Sequence, residues 1–154
     1  MIKDENPDKQ CILVADDDSD DREMLKAAFD ENKLPYNLTF VENGEEAMLY
    51  LKRKGRYVDI KSYPLPNLIL LDLNMPRKDG REVIREIRND FGLCGLPIVV
   101  LTTSRESKDV LKCYELGCNS FIIKPVTFHG LLLFTNMLHQ YWFNLVELPA
   151  LKKL

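Results

Sequence analysis

Residues 68–80 read LILLDLNMPRKDG, and the fold turns on them. The first six are apolar except for Asp72. An unbroken Leu/Ile run fits a strand covered on both faces, as in a parallel sheet. A carboxylate at the end of such a strand is costly to bury without a partner. Asp79-Gly80 then opens a helix to about Asp90, with Asp79 as its cap and Val83, Ile84 and Ile87 turned inward. The stretch is therefore strand, short polar connection, helix, with an acid at the junction.

The same alternation runs outward in both directions. Residues 12–15, 38–41, 97–101 and 120–123 are short apolar runs that predict further strands. Amphipathic stretches lie between them. Residues 20–32 carry Met24, Leu25, Ala28 and Phe29 on one face behind a Ser19 cap. Asn43 followed by Glu46 predicts a helix from there to about Lys54, closed by Gly55. Residues 104–116 predict a helix closed by Gly117. Thr127 caps a last helix to about Val146. Five strands alternating with five helices give an α/β fold with right-handed crossovers. Residues 52–67 are a long polar connection, and Tyr141-Trp142-Phe143 makes the last helix unusually aromatic. No repeat or domain linker interrupts the pattern, so the expectation is a single domain over 1–154, with a core at about 10–147 and a short tail at 147–154.

Composition sets the outer limits. The chain has 154 residues, 45% hydrophobic and 29% charged, which is ample for one core. Lys plus Arg number 21 against 24 Asp plus Glu, a net charge of −3. That balance argues against a dedicated nucleic-acid binder. Cys11, Cys94, Cys113 and Cys118 form no C-x-x-C pair, and with two histidines a structural zinc site is not expected. Cys113 and Cys118 are expected as buried small hydrophobes, and His129 and His139 as surface residues. The first ten residues are polar, and no apolar run reaches the roughly 18–20 residues that span a bilayer. The expectation is a cytoplasmic protein with reduced thiols and no membrane contact.

In open α/β sheets ligands bind beyond the carboxyl ends of the strands. There the sequence places Asp16, Asp17 and Asp18, then Asp72, then Thr102 and Thr103, then Lys124. Asp16, Asp17 and Asp72 cannot crowd together as bare anions. A hard divalent cation resolves this, and Mg²⁺ favours carboxylate, carbonyl and phosphate oxygens. Lys124 adds a positive charge and Thr102 a hydroxyl donor. Together they describe a phosphoryl-transfer centre with a carboxylate nucleophile. Asp18, Asp20 and Asp21 read instead as a solvated first helical turn.

The segments ILVADDD, LILLDLNMPRKDG, VVLTTS and SFIIKP, in that order, resemble the receiver domain of two-component response regulators. The resemblance implies a doubly wound, flavodoxin-like sheet in the order 2-1-3-4-5 with helices on both faces. It implies Asp72 as phosphoacceptor. Asp16, Asp17, Asp72 and the Asn74 backbone carbonyl would hold Mg²⁺, and Lys124 would bind the phosphoryl group. Thr102 and Phe121 would form the switch, with Phe121 where the family often has Tyr. Asn74 and Ser104 would tune dephosphorylation, and a cis bond would precede Pro125. The implied function is a phosphoacceptor that is not an enzyme beyond phosphorylating itself from phosphodonors and dephosphorylating. The 52–67 connection and the YWxxxxxLP ending resemble the small regulators that partner phytochrome-type histidine kinases.

A sensor histidine kinase is thus the expected phosphodonor, and a downstream protein or phosphotransfer partner the expected recipient. Only 30 residues follow Lys124 (154 − 124), too few for an output domain. A homodimer through the fourth helix, fifth strand and final helix is expected from the surplus of apolar residues on that helix. The competing expectation has its aromatic residues closing the core against the 52–67 connection. Rival functions are a Mg²⁺-dependent phosphatase of the haloacid dehalogenase type, disfavoured by Asn74 where that family needs Asp, and a flavin carrier, disfavoured by the DDDSDD segment. A degenerate receiver acting only in protein contact is the remaining alternative.

Overall fold

The structure is a computed structural model that describes residues 10–151. Elements run β1 (Cys11–Ala15), α1 (Ser19–Glu31), β2 (Asn37–Val41), α2 (Gly44–Leu51), β3 (Leu68–Leu71), α3 (Gly80–Asn89), β4 (Ile98–Thr102), α4 (Ser107–Leu116), β5 (Ser120–Ile123) and α5 (Phe128–Leu138). All strands are parallel, in the order β2-β1-β3-β4-β5. The polar stretch before Gln10 and the basic end of the tail, Lys152-Lys153-Leu154, lie outside the described residues.

Alternate strand residues feed two cores. Leu13, Ala15, Ile69, Leu71, Ile98 and Val100 pack with α2, α3 and Cys113 of α4. Ile12, Val14, Leu68, Leu70, Val99 and Leu101 pack with Leu25, Ala28 and Phe29 of α1 and Leu131, Phe134 and Leu138 of α5. This two-sided burial is why the strands read as unbroken apolar runs. Met24, expected on the inner face of α1, is instead largely exposed.

Expected caps hold at Asn43, Asp79 and Thr127, each accepting from a backbone N–H three residues on. At α1 the cap is Asp18 rather than Ser19, taking the Asp20 and Asp21 amides. Gly117 closes α4 in the left-handed conformation, φ 109°. The second helix ends earlier than expected. The backbone turns left-handed at Arg53, and a short 3₁₀ turn, Gly55–Tyr57, follows. The fourth helix starts at Ser107 rather than Ser104: the Ser104 amide donates back to Thr102 Oγ1 and its hydroxyl donates forward to Asp109 in the first turn of α4, which leaves Ser104 in the loop.

The last helix does not continue regularly to Val146. It widens after Leu138 into a π-helical turn, His139–Leu145. There His139 pairs with the Tyr36 hydroxyl, and the Phe143 ring lies 4.3 Å from that of Tyr36. Trp142 and Phe143 therefore cover the α1/α5 core. The expectation that they close against residues 52–67 is wrong. That connection lies on the opposite face, held by Tyr50, Tyr57 and Tyr63, whose ring centroids are 5.0–6.0 Å apart. Tyr50 donates to the Pro64 carbonyl at 2.6 Å and Arg53 to the Tyr63 carbonyl at 3.1 Å. Cys113 and Cys118 are buried as expected. His129 is exposed, whereas His139 is half-buried.

Candidate functional site

The carboxyl ends of β1, β3, β4 and β5 converge as the sequence order requires. Ladder hydrogen bonds fix the spacing: the Asp72 amide donates to the Ala15 carbonyl at 3.0 Å, and the Lys124 amide to the Thr102 carbonyl at 2.8 Å. The connection after β3 returns tightly. The Gly80 amide donates to the Leu73 carbonyl at 2.8 Å. A Cβ at Gly80 would overlap the Asp72 carbonyl oxygen and sit 2.8 Å from the Leu73 Cα. Glycine at 80 is thus what allows α3 to begin directly beneath Asp72.

Asp16 and Asp72 are both buried, and Asp17 is exposed at the rim. One carboxylate oxygen from each lies within 4.8 Å of the others. The Lys124 ammonium sits against this group. Its Nζ lies 2.8 Å from Asp16 Oδ2, 3.0 Å from Asp72 Oδ2 and 2.7 Å from Asp21 Oδ2. An ammonium has three donors, and all three are used. Burial raises the Asp16 carboxyl above its ordinary value, and the Lys124 hydrogen bond and the Asp18 amide only partly offset it. Burial by itself would lower the Lys124 ammonium. Hydrogen bonds to Asp16 and Asp21, with the charges on Asp16 and Asp72, outweigh that and raise it above the usual lysine range. Lys124 is therefore a fixed positive charge beside the carboxylates at any physiological pH.

Three hard oxygen donors at this separation, two of them buried, suit a divalent cation. Thr102 is fully buried, and its Oγ1 accepts from the Ser104 amide at 3.4 Å. Asn74 is exposed beyond Asp72. Phe121 is half-buried on the α2–α4 side, opposite Val100 in the sheet, with its amide donating to Tyr114 Oη at 3.1 Å. The peptide bond before Pro125 is trans, contrary to expectation. A Lys-Pro dipeptide fits either isomer, since the trans preference is only about 0.5–1 kcal/mol.

Sequence reasoning missed Asp21 as a member of this group. An acid in the first turn of α1 reads as helix-dipole stabilisation, and position alone does not reveal that its side chain turns back to Lys124. Asp18, conversely, is committed to capping. A cleft of about 250 Å³ opens beside Lys124, with Asp16, Asp21 and Thr103 on its polar side and Met24, Pro125 and Val126 on its apolar side.

The family model described as "Response regulator receiver domain" matches residues 12–135. The chain belongs to the response regulator receiver family. Among characterised relatives, Response regulator Rcp1 of Synechocystis sp. is 37% identical over 150 residues, covering 97% of this chain and 99% of Rcp1. The crystal structure of the phosphorylated cyanobacterial phytochrome response regulator RcpA superposes with a TM-score of 0.85 at 34% identity, covering 92% of this chain and 99% of RcpA. The Mn²⁺-bound form of Rcp1 gives 0.81 at 36% identity, covering 92% and 99%. The protein is thus a response regulator receiver with the flavodoxin-like fold, and nothing supports the haloacid dehalogenase reading. No helix among the described residues is long and apolar enough to cross a membrane.

Proposed function

We propose that this receiver takes a phosphoryl group on Asp72 from a phytochrome-type histidine kinase in a Mg²⁺-dependent step. The observation that carries the reading is the Asp16, Asp17 and Asp72 group with Lys124 bound into it. An Asp72 carboxylate oxygen attacks phosphorus, the bond from phosphorus to the donor breaks, and the donor leaves with the electron pair. Asp16, Asp17, Asp72 and the Asn74 backbone carbonyl would hold Mg²⁺. When bound, the cation offsets the negative charge of the carboxylates and phosphoryl oxygens. Lys124 and the Thr102 hydroxyl bind those oxygens in the product. Transfer to Asp72, from a kinase or a small phosphodonor, and hydrolysis from it are the whole of the chemistry. Support for the kinase class is that RcpA, 34% identical, is a phytochrome response regulator.

The switch in this reading is Thr102, with Phe121 packed beside its strand. Asn74 and Ser104 flank the approach of the hydrolytic water and set the phosphoryl lifetime. The 154 residues act as one unit in the cytoplasm and pass the signal to a downstream protein or phosphotransfer partner. Support for a homodimer through α4, β5 and α5 is a surface apolar on all three elements. Leu111 and Tyr114 of α4, Ile123 of β5, and Leu133 and Met137 of α5 are exposed, as is Tyr141, which lines a groove with Leu133 and Met137.

The test is incubation with acetyl phosphate and Mg²⁺, followed by intact-mass measurement. One phosphoryl group is expected on the wild type and none on Asp72→Asn. Label that persists in Asp72→Asn overturns the assignment. Sedimentation with and without beryllofluoride, a phosphoryl mimic, reads the dimer. A monomer in both states at high concentration refutes that part.

A further inference from the structure

Outside the carboxylate group, three side chains tie the loop after β4 to the start of α3. Ser104 Oγ donates to Asp109 Oδ2 at 2.6 Å. Arg81 Nη2 donates to Asp109 Oδ1 at 2.6 Å, with side chains 27% and 16% exposed. Asp109 is thus held at both oxygens. These bonds keep its carboxyl below the ordinary range, Ser104 first and Arg81 second.

Both ends of this link reach the phosphoryl-transfer centre. Arg81 follows Gly80, which is packed on the Asp72 carbonyl. Ser104 donates its amide to Thr102 Oγ1. The α4 cap residue, Glu106, makes no side-chain cap bond, and the Ser104–Asp109 bond is a side-chain tie from this loop to the helix. The chain of contacts runs from the Asp72 strand through Gly80, Arg81, Asp109 and Ser104 to the Thr102 hydroxyl. It bridges the ends of β3 and β4, the strands that carry Asp72 and Thr102.

We propose that Arg81 and Asp109 are positioning residues: they clamp Ser104, and through it Thr102, in the resting arrangement, so that seating a phosphoryl group on Asp72 requires the clamp to yield. The proposal rests on the role given above to Thr102 and Asp72. Neither Arg81 nor Asp109 touches the reacting atoms. A two-state element of this kind lowers the apparent affinity for any ligand that favours the released state.

The experiment measures beryllofluoride affinity, with Mg²⁺ present, in the full chain and in Asp109→Ala, Arg81→Ala and Arg81→Lys. Releasing the clamp should tighten binding by about three- to tenfold in both alanine variants, the range of one or two partly exposed charged hydrogen bonds. Arg81→Lys retains the charge and should stay near the wild type. The double alanine variant should match Asp109→Ala, which already removes both bonds to the Asp109 carboxylate. A merely structural role lowers the melting temperature without tightening binding. Unchanged or weakened affinity in the alanine variants, at matched folded fraction, overturns the clamp. Should an alanine variant not fold, Asp109→Asn gives the same reading with a smaller change. Asp72→Asn separates the two ideas: wild-type-like binding there overturns the phosphoacceptor assignment as well. Binding lost in Asp72→Asn but indifferent to Arg81 and Asp109 overturns the clamp alone.

Discussion

Replacing Asp72 by Asn should stabilise the metal-free protein while abolishing phosphorylation. The carboxylate oxygens of Asp72, Asp16 and Asp17 lie within 4.8 Å of one another. At an effective dielectric of about 20 each such pair repels by about 3.5 kcal/mol. Asp72 takes part in two of them. Against this stands its attraction to Lys124 Nζ at 3.0 Å, about 5.5 kcal/mol on the same scale. Removing the charge therefore relieves about 7 kcal/mol of repulsion and forfeits about 5.5, a net gain of about 1.5 kcal/mol. The Asn amide oxygen still accepts from Lys124. For a domain of this size the gain corresponds to a rise of about 3–6 °C in Tm. The assay is thermal unfolding at pH 8 in low salt, with chelator and then with Mg²⁺. Wild type should gain more from Mg²⁺ than Asp72→Asn does, since the cation relieves the same repulsion. The difference in chelator should shrink at high ionic strength, and only partly, because Asp16 and Asp72 are buried. An Asp72→Asn variant that melts at or below wild type in chelator, with the same Mg²⁺ increment, would refute the electrostatic account.

Three further outcomes follow from the geometry. Gly80→Ala should cost about 1–3 kcal/mol by overpacking against the Asp72 and Leu73 backbone, and chemical denaturation measures it; a neutral result would show that α3 can shift without cost. The Asp109 carboxyl lies below its ordinary value of 3.8, so its contribution to stability is complete above that pH and is lost as pH falls through the depressed folded value. A carboxyl ¹³C titration should show this, and in Arg81→Ala the value should move back toward 3.8. Burial pushes the Cys118 thiol up to about 11 and raises Cys113 as well, whereas Cys94 is exposed. Iodoacetamide at pH 8 should therefore label Cys94 first in the native protein and the buried thiols only on unfolding, as read by peptide mass mapping.

The order of the elements was legible because burial on two faces leaves a plain trace. Residues 68–71, 98–101 and 11–15 are apolar throughout, and only a sheet covered on both sides tolerates that. Caps were legible at Asn43, Asp79 and Thr127 because the stabilising bond is local. The convergence of Asp16, Asp17, Asp72 and Lys124 was legible because parallel strands bring their carboxyl ends to one edge whatever the loops do.

What remained hidden depended on contacts far apart in the chain. Asp21 reads as one more acid in a helical turn, and its bond to Lys124 spans 103 residues. Arg81 and Asp109 look like ordinary surface charges until α3 and α4 pack side by side. Where the last helix widens, Tyr36 offers both a hydroxyl to His139 and a ring to Phe143, contacts made across more than 100 residues. Residues 52–67 read as a polar loop, yet three tyrosines anchor them. The sequence by itself determined the strands, their polarity and the acids at their ends, because these follow from local pattern and burial. Tertiary structure alone decided which charges meet, because an ion pair depends on a few ångströms of side-chain reach that no spacing along the chain encodes.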